Sequence, residues 1–328
     1  MELGLFLNTQ DPVDEDQEAM FENLVAQTRK ARDADFDVIL SGQHYVTDYL
    51  QFQPFPLLGR VSAEAGDMRV ATGVIILPLH HPIDIAENIA TLDAMTERRV
   101  IAGVAAGYRD AEYHNFGVSK DERGGRLKEG VDIMKRLWTE KNVSYDGEYY
   151  SIKDVTINPR PTEKPSIWYG GNSKSAIGRA ARHGDAWYIN PHSTISEIKT
   201  HKGPYNRIRE NRDMHTKVPM RREMFVAPTT EEAMEVGKKY LAEKYKRYVE
   251  WGQNEEMEDP EELTQAFENL KEDRFLLGTP AEVCEELEKY EEELDVGHVI
   301  ARVHWPGMSY DRAQECIELI GDEVIPNI

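Results

Sequence analysis

The chain has 328 residues, 40% of them hydrophobic, which is enough for a substantial core and excludes a disordered chain. Its 60 acidic residues outnumber 39 basic ones, and the resulting net charge of −21 repels phosphate backbones and anionic lipid, so no nucleic acid and no membrane is expected as partner and a small-molecule ligand is favoured. No stretch approaches the ~18 apolar residues of a membrane span, no basic-then-apolar leader opens the chain, and Cys284 and Cys316 lack CxxC spacing, so the expectation is a cytoplasmic protein without a disulfide framework or thiolate metal site.

Short apolar runs rich in branched residues alternate with segments of helical periodicity, the pattern of parallel strands buried on both faces and joined by crossover helices. In chain order the expected strands are residues 3–7, 37–40, 69–76, 100–104, 166–170, 186–189, 223–227 and 298–303. Met20, Leu24, Val25, Thr28 and Ala31 mark a helix after the first strand, and Ala86, Ile89, Ala90, Asp93 and Met95 mark one before the fourth. Residues 126–138 and 173–183 also read as helices, Thr279 caps a helix that begins at Pro280, and a last helix follows Tyr310. Two segments depart from the alternation. Asp146-Gly147 between Tyr145 and Tyr149 signals a hairpin excursion at 143–152, and residues 239–274 form a long, charged, helical insertion. The acidic runs at 255–262 and 285–293 read as solvated helix faces. The fold expected is an α/β single (β/α)8 TIM barrel with insertions, spanning 1–328 as one domain, with a doubly wound open sheet as the alternative.

In such a barrel the loops after the strands build the site. His44 follows Gly42-Gln43 directly after the second strand, where an imidazole can exchange protons near neutral pH. Gly170-Gly171-Asn172-Ser173 lies between a strand and a helix, where bare backbone amides and a helix N-terminus together suit a phosphate; an ordinary tight turn is the competing reading. No P-loop or GxGxxG fingerprint occurs. His80-His81 with Glu87 lacks the one-turn histidine spacing of a zinc site, so no metal is expected there.

The order and spacing of several motifs resemble the luciferase-like monooxygenases, bacterial luciferase and its FMN- and deazaflavin-dependent relatives. The likeness covers most of the chain. It rests on Leu3-Gly4-Leu5-Phe6, Gly42-Gln43-His44-Tyr45, the stretch 71–78, Gly103 to Arg109, Glu112, Arg123, Leu137-Trp138, the stretch 167–171, residues 180–185 and Leu277-Gly278-Thr279-Pro280. The resemblance implies that His44 is the active-site histidine, that Tyr45 replaces a second histidine, and that Thr72-Gly73-Val74 carries a non-prolyl cis peptide backing the isoalloxazine. It also implies that Gly107 and Tyr108 line the cofactor, that Gly170, Gly171, Asn172 and Ser173 bind its phosphate, and that Phe6, Tyr45, Tyr108 and Trp187 wall the cavity. An arginine that grips the phosphate in luciferase is replaced here by Ala106; Arg109 is not its equivalent, and the grip rests on backbone amides and the helix dipole alone or on another cation. The activity implied is a flavin-dependent monooxygenase that takes reduced FMN from a separate flavin reductase and uses O2 on a small organic substrate. The alternatives are hydride transfer with the deazaflavin coenzyme F-420 and a non-catalytic flavin-binding subunit. Relatives suggest a homo-oligomer, dimer or tetramer.

Overall fold

The computed structural model describes residues 1–97, 99–212, 214, 216–257 and 261–328. Eight parallel strands form its centre: β1 (Glu2–Phe6), β2 (Val38–Ser41), β3 (Arg69–Thr72), β4 (Val100–Ala105), β5 (Ser166–Gly170), β6 (Ala186–Tyr188), β7 (Val218–Val226) and β8 (Val296–Arg302). They are neighbours in the order β6-β5-β4-β3-β2-β1-β8-β7, and an outer strand, Phe275–Gly278, adds to β7. All four residues of β2 are buried, as apolar runs of a sheet covered on both faces should be.

The sheet curls until β6 faces β7. That seam carries no ladder. Ile189 alone bridges Met220, donating to Pro219 O at 2.9 Å and accepting from Arg221 N–H at 2.9 Å. The architecture is therefore a curled parallel sheet flanked by helices rather than the closed, uniformly paired eight-stranded ring expected from the sequence. The three residues of β6 pair with β5 instead.

Period-two alternation divides the apolar side chains. Phe6, Val38, Leu40, Ala71, Ile101, Trp168, Ala186, Tyr188 and Ile300 form one cluster inside the curl. The opposite faces pack under the helices α1 (Gln17–Asp33), α2 (Pro82–Met95), α3 (Asp110–Phe116), α4 (Arg123–Thr139), α5 (Lys174–His183), α6 (Ile195–Glu210), α7 (Thr230–Glu250), α8 (Pro280–Leu294) and α9 (Tyr310–Leu319). Local chemistry sets their starts. Asp16 accepts from two N–H groups at the head of α1, Ser173 from Ala176 N–H at the head of α5, and Thr279 with Glu282 completes a capping box on α8. No helix among the described residues is long and apolar enough to cross a membrane.

Three expectations are corrected. The third strand ends at Thr72 and resumes at Ile75–Ile76, because a non-prolyl cis peptide at Gly73-Val74 interrupts it. The seventh begins at Val218, five residues early, since Arg221 and Arg222 belong to it despite their charge. The insertion at 239–274 is no single helix: α7 ends at Glu250, short turns follow, and residues 258–260, part of the acidic run at 255–262, lie outside the described residues. The hairpin is present as Val143–Asp146 against Ser151–Val155, with Glu129 accepting from the N–H groups of Glu148, Tyr149 and Tyr150 across its turn.

β3 meets β4 through a reciprocal pair, Thr72 Oγ1 donating to Gly103 O and accepting from Gly103 N–H, both at 2.8 Å. A Cβ at Gly103 would stand 1.9 Å from Thr72 O. Gly103→Ala should therefore cost about 3 kcal/mol or more in urea unfolding. Gly117→Ala, at a φ of +67° with nothing within 4 Å, should cost only about 1 kcal/mol. Equal midpoints for the two variants would contradict this register.

Candidate functional site

The loops at the C-terminal ends of the strands enclose a cavity of about 460 Å3, within the range of small-molecule sites. Of the residues singled out in the sequence, Phe6, His44, Gly73, Val74, Gly107, Tyr108, Gly170, Gly171, Asn172 and Ser173 line it. Thr72, Tyr45 and Trp187 do not. Thr72 is fully buried in its bond to Gly103. Tyr45 turns toward Phe116, with ring centroids 4.6 Å apart, and accepts from Gln43 Nε2 at 2.8 Å. Trp187 lies behind the Gly-Gly turn, where its Nε1 donates to Gly171 O at 2.9 Å. The histidine pair faces two ways, His80 toward Gln43 Oε1 at 3.0 Å and His81 onto the head of α2, accepting from Ile83 N–H.

His44 is held by a residue that sequence reasoning left without a role. Its Nδ1 lies 3.0 Å from Oε1 of Glu112, a carboxyl with no solvent exposure. The same oxygen accepts from Tyr45 N–H at 2.9 Å, so it is an acceptor, Nδ1 carries the proton, and Nε2 is the ring nitrogen left to exchange one. Arg109 Nη1 stands 3.5 Å from that oxygen and donates to Tyr45 O at 2.6 Å. The Arg109 guanidinium lies 4.3 Å from the ring centroid of Trp251, whose ring is in turn 5.5 Å from His44. Trp251 follows α7 directly, so the insertion at 239–274 brings a ring against the histidine. The signal for Glu112 was its spacing, three residues after Arg109 at the start of α3.

At the other side of the cavity, α5 begins under the Gly170–Ser173 turn. Gly171 is fixed as glycine by packing, since a Cβ there would stand 2.5 Å from Ala176 Cβ. Ser173, Ser175, Arg123 and Arg179 line this end, and Arg179 Nε is buried without a hydrogen-bond partner. Helix N-terminal amides, hydroxyls and guanidinium groups form a donor set for an anion. The apolar wall between this end and His44 comes from Val74, Ile76, Ala105 and Ala106. Gly107, at a φ of +75°, brings the backbone close to Ile76, 2.6 Å from where its Cβ would be.

Several lining residues were not anticipated. Tyr188, His192, Arg221, Tyr248 and Arg302 all face the cavity. Burial raises the Tyr188 hydroxyl to about 12, raises Tyr108 and drives His192 well below the usual imidazole value, so all three are neutral near pH 7.

The profile of the luciferase-like monooxygenases matches residues 1–295. Along nearly its whole length the chain is similar to the oxygenase component of flavin-dependent trigonelline monooxygenase from Acinetobacter baylyi, 24% identical over 99% of this chain and 95% of that one. The fold is similar to that of monooxygenase RslO1 from Streptomyces bottropensis, with a TM-score of 0.89, 20% identity and 99% of each chain covered. It is also similar to an F-420-dependent secondary alcohol dehydrogenase in complex with an F-420-acetone adduct, with a TM-score of 0.81, 18% identity, and 99% of this chain and 98% of that one covered.

Removing Glu112 would leave Arg109, which is 6% exposed, with two carbonyl acceptors and the Trp251 ring but no carboxylate. Glu112→Ala should lower stability by about 3 kcal/mol, and Glu112→Gln, which keeps an acceptor oxygen, by about 1 kcal/mol. A Glu112→Ala protein with a wild-type urea midpoint would contradict the pairing.

Proposed function

The chain belongs to the luciferase-like monooxygenase family of oxidoreductases, and on that footing we propose that it is the oxygenase of a two-component system, taking reduced FMN from a separate reductase and using O2 on a small organic substrate. The observation that carries the proposal is the joining, in one cavity, of an oriented histidine, a flat apolar wall at the break in β3, and a phosphate-suited helix N-terminus. A ligand with a flat ring and a phosphate tail fits this donor set. Gly170, Gly171, Asn172, Ser173 and Arg179 would hold the phosphate, with Arg179 the cation that Ala106 does not provide. Gly73, Val74, Gly107 and Tyr108 would border the ring. Reduced FMN bound in this way would supply two electrons and a ring that reacts with dioxygen.

The protein's own part is positioning, exclusion of water and proton management. His44, with Nδ1 committed to Glu112, offers Nε2 to give or take a proton at the substrate. Arg109 and Trp251 cap that side, and Tyr108 and Tyr248 narrow it, which keeps bulk water from the reacting atoms. FMN is favoured because the relative aligned over 99% of this chain is flavin-dependent. Hydride transfer with the deazaflavin is the second reading, supported by the likeness to the F-420-dependent dehydrogenase fold. Its ring and phosphate-bearing tail meet the same requirements.

Titration of the purified protein with FMN, reduced FMN and the deazaflavin tests the reading, with tighter binding of reduced FMN expected. Tight binding of the deazaflavin alone would overturn it in favour of the second. Arg179→Met should weaken FMN about tenfold. His44→Ala should keep FMN affinity and lower substrate-dependent turnover by about 10²- to 10⁴-fold; unchanged turnover would remove the histidine from the chemistry.

A further inference from the structure

Besides the Gly170–Ser173 turn after β5, the cavity has a second cationic group, on β7 and β8. On β7, Arg222 points outward to the Tyr290 ring of α8, 5.4 Å from its centroid, so alternation turns Arg221 inward. On β8, Ile300 belongs to the inner cluster and Arg302 follows two positions later on the same face. Their guanidinium groups lie 4.7 and 5.8 Å from the ring centroid of Phe6. Two cations thus stand over an apolar floor inside a chain of net charge −21.

Neither forms a direct ion pair with a carboxylate among the described residues, although the buried Glu223 exerts a favourable field on both. Glu223, the acid on the same strand, is engaged by Lys244 in a fully buried ion pair and accepts from Trp305 Nε1 at 2.5 Å. Arg302 donates to Tyr248 Oη at 3.1 Å, Asn8 Oδ1 at 2.6 Å and Gln10 Oε1 at 3.3 Å, all neutral. Arg221 pairs with no carboxylate among the described residues, and its Nε is buried without a partner. Around it, the Tyr188 hydroxyl, on a residue 4% exposed, and His192 Nδ1, on a residue 3% exposed, are also buried without partners, as is the Tyr108 hydroxyl. All of these residues line the cavity. Orphaned polar groups and a buried cation without a direct ion pair in one pocket are costly for an empty site and favourable for one that receives an anion.

We propose that this part of the cavity binds the carboxylate of an anionic organic substrate, with Arg221 as its ion-pair partner and the Tyr108 and Tyr188 hydroxyls as neutral donors. The inference rests on the proposed oxygenase reading and adds the substrate class. A planar carboxylate suits the arginine fork, and burial keeps both tyrosines protonated and therefore able to donate. The cofactor phosphate is assigned elsewhere, to the α5 terminus and Arg179. The local field of Arg221 and Arg302 would also counter the repulsion that the acidic surface exerts on an incoming anion.

Calorimetric titration of the full chain with benzoate and with benzamide, each with and without saturating FMN, tests this directly. Benzoate should bind at least tenfold tighter than benzamide in both states. Arg221→Gln should abolish the preference while FMN affinity stays within twofold; Tyr188→Phe, which leaves the charge in place, should reduce the preference by several-fold and guards against a folding defect in the first variant. Equal binding of the two probes, or no binding of either in the millimolar range, would overturn the proposal. So would an Arg221→Gln protein that loses FMN affinity instead, since the cation would then serve the cofactor. Failure of FMN itself to bind would count against the oxygenase reading, whereas a benzoate preference would still stand.

Discussion

The mouth of this protein depends on one buried carboxylate. Glu112, without solvent exposure, gathers the ring of His44, the backbone N–H of Tyr45 and the guanidinium of Arg109 around a single oxygen. Those groups come from the loop after β2 and the turn into α3, and Arg109 extends the hold to Trp251 at the end of α7. Three segments distant in sequence are thereby locked at one point, and the histidine receives its tautomer from the same contact. The three contacts to Oε1 offset the cost of burying the carboxyl, whose Oε2 is buried without a hydrogen-bond partner.

Charge is distributed unevenly for a purpose that the totals conceal. The chain carries an acidic excess, whereas the cavity lining holds four arginines and one carboxylate, Asp121: Arg123 and Arg179 with the residues of the α5 terminus, Arg221 and Arg302 on β7 and β8. The same cavity is lined by the apolar Val74, Ile76, Ala105 and Ala106 and by the His44 ring. Such a layout would suit the two proposed anions, a cofactor phosphate on one arginine group and a substrate carboxylate on the other. The same cations would offset the repulsion that a net charge of −21 exerts on an incoming anion.

Much of this was legible in the residues. Buried strands announce themselves as branched apolar runs, and the strand-end motifs at His44, Gly107-Tyr108 and Gly170 to Ser173 fall on the cavity because parallel strands all present the same end. The cis peptide at Gly73-Val74 came from family likeness, not from periodicity. What escaped did so for physical reasons. Arg221 and Arg222 look like a strand's outer edge, yet one lines the cavity and the other packs under a helix, so the seventh strand began too late in the sequence reading. Tyr248 and Trp251 sit in a charged segment whose hydrophobic period gives no sign of a cap. Trp187 and Tyr45 are aromatic and stand at strand ends, but a one-residue change of phase along a strand or loop sends a side chain to the other face.

The most direct measurement is a crystal structure of the protein soaked with FMN. The expected result is density for the ring against the Gly73-Val74 break in β3 and for the phosphate at the N–H groups of Gly171 to Ser173 and the Arg179 guanidinium, with Arg221 left unoccupied by the cofactor. Phosphate density on Arg221 and Arg302, or a ring lying away from His44, would contradict the assignment of the two arginine groups and the chemistry built on it.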